Sequence, residues 1–193
     1  MAVCLNIIVA VCENQGIGKG GELPWRLREE MKHFSRITKR TSVAEKQNVV
    51  LMGRKTWESI PIKFRPLPGR LNMVLTTKAK STPSLFTNSI CCSNFDEALS
   101  KAKDRSKQIE TVWAIGGSSI YEMALESKHL HRIYLTRILK DFTCDTVLPY
   151  FDISTFTRVQ DPDVPSEVQQ EGDIKYKYEI YEKIRAVSSV LKI

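Results

Sequence analysis

The chain has 193 residues, 42% of them hydrophobic and 26% charged, with a net charge of +7. That is enough chain for one domain with its own core, and no run approaches the ~20 apolar residues that span a membrane. The excess of Lys and Arg is spread along the sequence without basic tracts or interleaved aromatics, which disfavours nucleic acid and fits small anionic ligands.

The N-terminal segment reads as a strand over Val3–Cys12, not as a signal peptide, since it lacks a basic leader and runs straight into a β-type pattern. The five cysteines (Cys4, Cys12, Cys91, Cys92 and Cys144) are odd in number and lack metal-ligand spacing, so no metal site is expected. They fit a reducing compartment, most simply the cytosol.

After the first strand, Gly16-Ile17-Gly18-Lys19-Gly20-Gly21 matches a dinucleotide-binding G-x-G-x-x-G literally. The context contradicts that reading. Pro24 blocks a helix at Leu23, and no strand ending in an acid follows at the required distance. Residues 13–24 are instead read as a glycine-rich loop at the C-terminal edge of the sheet, placed to cover a ligand.

A helix follows over Arg26–Thr38. At about 100° per residue, Leu27, Met31, Phe34 and Ile37 share a face, and Glu30 falls on it. The bland alternative is a boundary carboxylate that reaches water or pairs with a base. A carboxylate among apolar side chains costs several kcal/mol unless something satisfies it. Two adjacent N–H donors on a heterocycle edge would satisfy both oxygens at once. The three histidines form no triad with a nucleophile.

Strands are expected at Asn48–Gly53, Leu71–Thr77, Ser89–Cys92, Thr111–Gly116, Arg132–Ile138, Phe156–Gln160 and Ile174–Glu182. Helices are expected at Lys55–Ile60, Phe95–Arg105 and Ser118–Leu125, with proline-bearing loops at 61–70 and 161–165. In two places, Val49–Thr56 and Val112–Ser119, a β-type run meets glycine and then hydroxyl residues that open a helix. Free backbone N–H groups and the helix dipole then face one place, a seat for phosphate. Two seats on one sheet point to a pyrophosphate-bearing dinucleotide. The order of elements predicts an α/β single domain: a central, mostly parallel, eight-stranded twisted sheet with an antiparallel C-terminal edge hairpin, flanked by about four helices. Residues 3–184 form the domain, and 185–193 a flexible tail.

Six motifs in order now give a family. They are Asn14-x-Gly16-Ile17-Gly18, Leu23-Pro24-Trp25, the helix bearing Glu30 and Phe34, Met52-Gly53-Arg54-Lys55-Thr56-Trp57, Arg65-Pro66-Leu67-Pro68-Gly69-Arg70 and Ile115-Gly116-Gly117-Ser118-Ser119-Ile120-Tyr121. Together, from about residue 3 to residue 184, they resemble dihydrofolate reductase of the animal, monofunctional type. The resemblance implies a monomeric cytoplasmic enzyme that reduces 7,8-dihydrofolate with NADPH. It also implies binding of folate and of antifolates such as methotrexate or trimethoprim-like pyrimidines, with no required protein partner.

The resemblance also implies roles. Glu30 is the acid that binds the pterin, supported by Thr136. Leu23 and Trp25 stand beside the reacting rings. Ile8, Val9, Met31, Phe34, Ile60, Phe64, Leu67 and Ile115 line the substrate site, and Arg70 grips the α-carboxylate of the glutamate tail. Ala10, Ile17, Gly18, Gly21, Glu22 and Leu23 surround the nicotinamide. Ile115, Gly116, Gly117, Ser118, Ser119, Ile120 and Tyr121 form the pyrophosphate seat, with a cis peptide at Gly116–Gly117. Gly53, Arg54, Lys55, Thr56, Ser59, Leu75, Thr76, Thr77 and Lys78 hold the adenosine end, with Arg54 on the 2′-phosphate.

The chain departs from the vertebrate pattern in three places. Thr76-Thr77-Lys78 replaces a serine-arginine pair, Phe64 replaces a polar rim residue, and the turn after Trp25 is one residue shorter. Rival readings are a pterin or riboflavin-pathway reductase of the same fold, and a nucleotide-binding module without catalysis.

Overall fold

The structure, a computed structural model, describes residues 4–78 and 83–185. The expected flexible tail therefore lies outside the described residues except for Arg185. Eleven strands and four α-helices follow one another in this order: β1 (Cys4–Val11), β2 (Gly16–Gly18), α1 (Arg28–Lys39), β3 (Gln47–Gly53), α2 (Arg54–Ser59), β4 (Leu71–Leu75), β5 (Ile90–Cys92), α3 (Phe95–Asp104), β6 (Ile109–Ala114), α4 (Ser118–Glu126), β7 (Leu130–Ile138), β8 (Thr146–Val147), β9 (Phe156–Val159), β10 (Gln169–Glu171) and β11 (Ile174–Lys183).

The main sheet runs β10-β11-β7-β1-β6-β3-β4-β5. Every pairing from β7 to β5 is parallel, and β11 lies antiparallel to β7. The outer edge of β11 is shared by two short strands, β10 near Ile174–Tyr176 and β9 at Ile180–Lys183. The sheet is thus eight strands wide, as expected, with β9 as a ninth strand beside that path. From β3 the chain steps outward through β5, then returns to place β6 between β1 and β3. Both glycine turns, after β3 and after β6, therefore sit side by side at one edge.

β1 is central and covered on both faces, which explains its largely apolar sequence: Leu5, Ile7, Ile8, Val9 and Val11 are all buried. Leu5, Ile7, Val9 and Val11 pack with Val49, Leu51, Met73, Val112 and Ala114 on one side of the sheet. Ile8 packs with Ile37, Val50, Met52, Trp57 and Trp113 on the other.

Several boundaries differ from the sequence reading. α1 begins at Arg28, not Arg26. Its first N–H groups, those of Arg28 and Glu29, donate to the carboxylate of Glu171 at 2.8 and 3.0 Å. This cap comes from β10, too distant in sequence for any local pattern to show. Leu27 is buried as a cap residue and Met31 is half-exposed. The buried side of the helix centres on Glu30, His33 and Ile37, with His33 stacked on Tyr178 at 3.9 Å. β4 stops at Leu75 because Lys78 N–H turns back onto the Thr76 hydroxyl at 3.0 Å. The ribbon β2–β8 and strand β10 carry no alternating pattern and were not anticipated.

Candidate active site

Glu30 lies on α1, buried to 6% exposure, facing β7. The hydroxyl of Thr136 donates to its Oε1 at 3.2 Å. Among the described residues no cation pairs with it. Burial pushes its carboxyl up from 4.5 to about 7. The Thr136 hydroxyl opposes this shift, and the charge of Glu171 adds to it. One carboxyl poised near neutrality, with a single protein donor, is a half-satisfied acceptor on an apolar floor.

That floor is built from residues far apart in sequence. Ile8 belongs to the buried cluster on this side of the sheet, and Phe34, Ile60, Leu67 and Ile115 pack against it half-buried. Val9 is buried on the other side. Met31 and Phe64 stand half-exposed on the outside of this group, and Leu23 is exposed to the same degree. Trp25 is buried against Phe142 at 5.5 Å, and its indole N–H has no acceptor among the described residues. Ala10 pairs with Thr136 across β1 and β7, which places the strand end beside Glu30's partner.

Arg70 is buried to 7% exposure. Its guanidinium donates to the Pro68 carbonyl at 3.1 Å and to the Thr38 hydroxyl at 2.8 Å, and lies 5.8 Å from the Phe34 ring. Burial lowers its pKa to about 10. Among the described residues no carboxylate answers this buried cation, so the fork retains donors for an anion. Thr38 was not anticipated, nor was Asn72. The latter's side chain holds Leu67 N–H at 2.9 Å and the carbonyls of Leu67 and Arg70 at 3.0 and 2.9 Å, fixing the loop that carries both residues. A lone Asn at the second position of a strand, facing a proline loop, was the available signal.

The two glycine turns meet. Gly53 N–H donates to the Gly116 carbonyl at 2.9 Å, and a Cβ on Gly117 would lie 3.6 Å from the Thr56 hydroxyl. The Gly116–Gly117 peptide is cis and Gly116 has φ +115, a conformation that favours glycine. A side chain there would also press on the Tyr121 hydroxyl at 3.2 Å. That hydroxyl donates to the Ile8 carbonyl at 3.1 Å.

Capping separates the four helices. α3 is capped by Asn94 and α1 by Glu171. α2 and α4 open on Gly53 and Gly117 with no side-chain cap. An open helix start beside glycines suits an anion supplied from outside, so these residues fit the pyrophosphate of a dinucleotide.

Not every expected hydroxyl faces outward. Ser118 donates to the Val147 carbonyl at 2.9 Å and Ser59 to the Thr56 carbonyl at 2.8 Å, while Ser119 is exposed. Arg54 is held bidentately by Glu58 at 2.8 and 2.6 Å, and Lys55 is exposed. Leu75 ends its strand beside Gly53, and Thr76 N–H donates to the Cys92 carbonyl. Thr77 and Lys78 are exposed. The loop 13–24 holds Ile17 against the core, pairs Gly18 with Thr146, and closes a small bridge between Lys19 and Glu22 that brackets Gly21.

Comparison with known proteins decides what this site belongs to. The model of the dihydrofolate reductase family matches residues 4–183. The chain belongs to the dihydrofolate reductase family. It is 47% identical to a dihydrofolate reductase of Drosophila melanogaster over 92% of this chain and 97% of that one. It is 45% identical to the Sus scrofa enzyme over 93% and 97%. A solved dihydrofolate reductase of Schistosoma mansoni superposes with a TM-score of 0.83 at 34% identity, covering 95% of this chain and all of that one. The activity of the family, reduction of 7,8-dihydrofolate to tetrahydrofolate with NADPH, is the activity of this chain. That excludes the riboflavin-pathway and non-catalytic readings. Among the described residues no helix is long and apolar enough to cross a membrane.

Proposed function

We propose that Glu30 recognises the pterin and sets the rate of its reduction. Its buried carboxyl beside Thr136 carries this reading. Two adjacent N–H donors of the pterin edge satisfy both oxygens and favour the ionised form, which burial alone disfavours. NADPH, when bound, supplies a hydride to C6 of the pterin. N5 must also gain a proton. Glu30, engaged at the opposite edge of the ring, does not reach N5, so water delivers that proton. The carboxylate stabilises the positive charge that develops in the pterin during transfer.

The remaining residues position and exclude. Ile8, Phe34, Ile60, Leu67 and Ile115 offer a dry wall to the ring and the benzoyl group, with Met31 and Phe64 completing the site. Arg70 binds the α-carboxylate of the glutamate tail with a fork already fixed by Thr38 and Pro68. Gly117, Ser119 and the open start of α4 hold the pyrophosphate, and Gly53, Lys55, Thr56 and Thr76–Lys78 hold the adenosine phosphates. Arg54 reaches the 2′-phosphate by exchanging Glu58 for it. Loop 13–24, with Ala10, Ile17, Leu23 and Trp25, covers the nicotinamide and keeps bulk water out. Residues 3–184 form the catalytic domain, a cytoplasmic monomer; the family match over residues 4–183 supports this extent.

The test is oxidation of NADPH by purified protein, with and without dihydrofolate. Turnover that requires both, and that falls by orders of magnitude in Glu30→Gln near neutral pH while NADPH still binds, is the expected result. Unchanged turnover in that variant refutes the role of Glu30.

A further inference from the structure

Two thiols meet at the root of loop 13–24, in the cluster that also holds Trp25 and Ala10; neither thiol has a part in the reading above. Cys12 directly follows β1 and is fully buried. Cys144 is only half-buried. Their Sγ atoms lie 3.8 Å apart. Gly16 lies against both: a Cβ there would overlap Cys144 and come within 2.9 Å of Cys12 Sγ. Glycine at position 16 is thus what lets the two sulfurs approach.

The same place ties the loop to the segment that follows β7. Gly16 pairs with Val147 and Gly18 with Thr146. Asp145 N–H donates to the Gly18 carbonyl at 3.0 Å, and Gly20 N–H to the Asp145 carboxylate at 2.7 Å. Cys12 itself holds the Gly16 carbonyl through both its N–H, at 3.0 Å, and its Sγ, at 3.4 Å.

We propose that Cys12 and Cys144 form a dithiol site that reacts reversibly with a peroxide, and that the resulting disulfide staples loop 13–24 to residues 142–148. Cys144, the accessible thiol, attacks first as its thiolate. Its sulfur bonds to one peroxide oxygen, the O–O bond breaks, and the other oxygen leaves as water after taking a proton. Cys12 then attacks the Cys144 sulfenic acid: the S–S bond forms, the S–O bond breaks, and a second water leaves. Two thiols lose two electrons and one peroxide becomes two waters. The sulfurs must close by about 1.8 Å to reach bonding distance, a shift borne by the ribbon β2–β8. Burial and the Cys12 thiol raise the pKa of Cys144, so the thiolate that attacks is a minor form and the rate of the first step rises with pH.

The chemistry does not depend on the catalytic reading, but its effect on turnover rests on the proposed covering role of the loop. Reduced full-length protein is treated with hydrogen peroxide, quenched with an alkylating reagent, and mapped by mass spectrometry alongside Cys144→Ser. We expect a cross-link between the Cys12 and Cys144 peptides, lighter by about two mass units, with turnover falling at least about threefold. Dithiothreitol restores it, and Cys144→Ser shows neither change. Absence of that cross-link in protein whose other thiols have reacted overturns the site. A cross-link with unchanged turnover overturns the stapling of the loop. An equal loss in Cys144→Ser assigns the effect elsewhere and overturns the proposal.

Discussion

Glu30→Gln keeps the shape of the side chain and an acceptor for the Thr136 hydroxyl, but removes the charge. In the native protein burial raises this carboxyl from 4.5 to about 7. At about 1.4 kcal/mol per pH unit, that is a penalty of ~3 kcal/mol on the ionised native state. The sign follows from which state ionises first. Below about pH 4.5 the group is neutral in both states and its stability contribution is fully present. Between 4.5 and 7 the unfolded chain ionises while the native protein does not, so stability falls. Above 7 both are ionised and the loss is complete. Glutamine has no such term. Urea unfolding of the two proteins across this range is therefore expected to show the variant gaining about 3 kcal/mol over the wild type between pH 4.5 and pH 7. Turnover moves the opposite way, because the stabilising change removes the group that matches the pterin. Parallel stability curves would show that burial does not perturb Glu30, and the account of the site would fail.

Two neighbours tune the same titration in opposite directions. Thr136→Val removes a donor to the carboxylate and is expected to move the Glu30 midpoint up. Glu171→Gln removes a repelling charge and moves it down, while weakening the cap of α1 by about 1 kcal/mol. Both midpoints are read from the pH dependence of unfolding. Arg70→Met should raise the KM for dihydrofolate by about 10- to 100-fold, the worth of a charge-assisted pair. The KM for NADPH stays unchanged, and steady-state kinetics with each substrate varied separates the two. Glu58→Gln frees Arg54 from its bidentate partner. The KM for NADPH then falls a few-fold while that for NADH does not, and equal changes for both would detach Arg54 from the 2′-phosphate.

Much of this was legible because the local signal was strong. The apolar run from Ile7 through β1 declared a buried strand, and the glycines at the ends of β3 and β6 declared both turns. Helical spacing put Glu30 on the inward side of α1 without any knowledge of its partner. What stayed hidden depends on long-range contacts. Glu171 caps α1 from β10, and Thr38 braces Arg70 from the far end of the same helix. His33 displaced Met31 from the buried face because Tyr178, on the distant strand β11, offers it a ring to stack on. Ser118 looked like a phosphate ligand, but its hydroxyl is spent on Val147, in a ribbon too short to show a period. The commitment of Arg54 to Glu58 is an i,i+4 pair that the sequence did display, and a reading by helical spacing could have found it.

The claim on which everything rests is that one buried carboxylate recognises the pterin. Carbon NMR of labelled glutamate can follow Glu30 through its titration, in the free protein and with a pteridine antifolate such as methotrexate bound. The account predicts a midpoint near 7 in the free protein, moving well below neutrality once a paired set of N–H donors satisfies both oxygens. An ordinary carboxylate midpoint that the ligand leaves in place would contradict it.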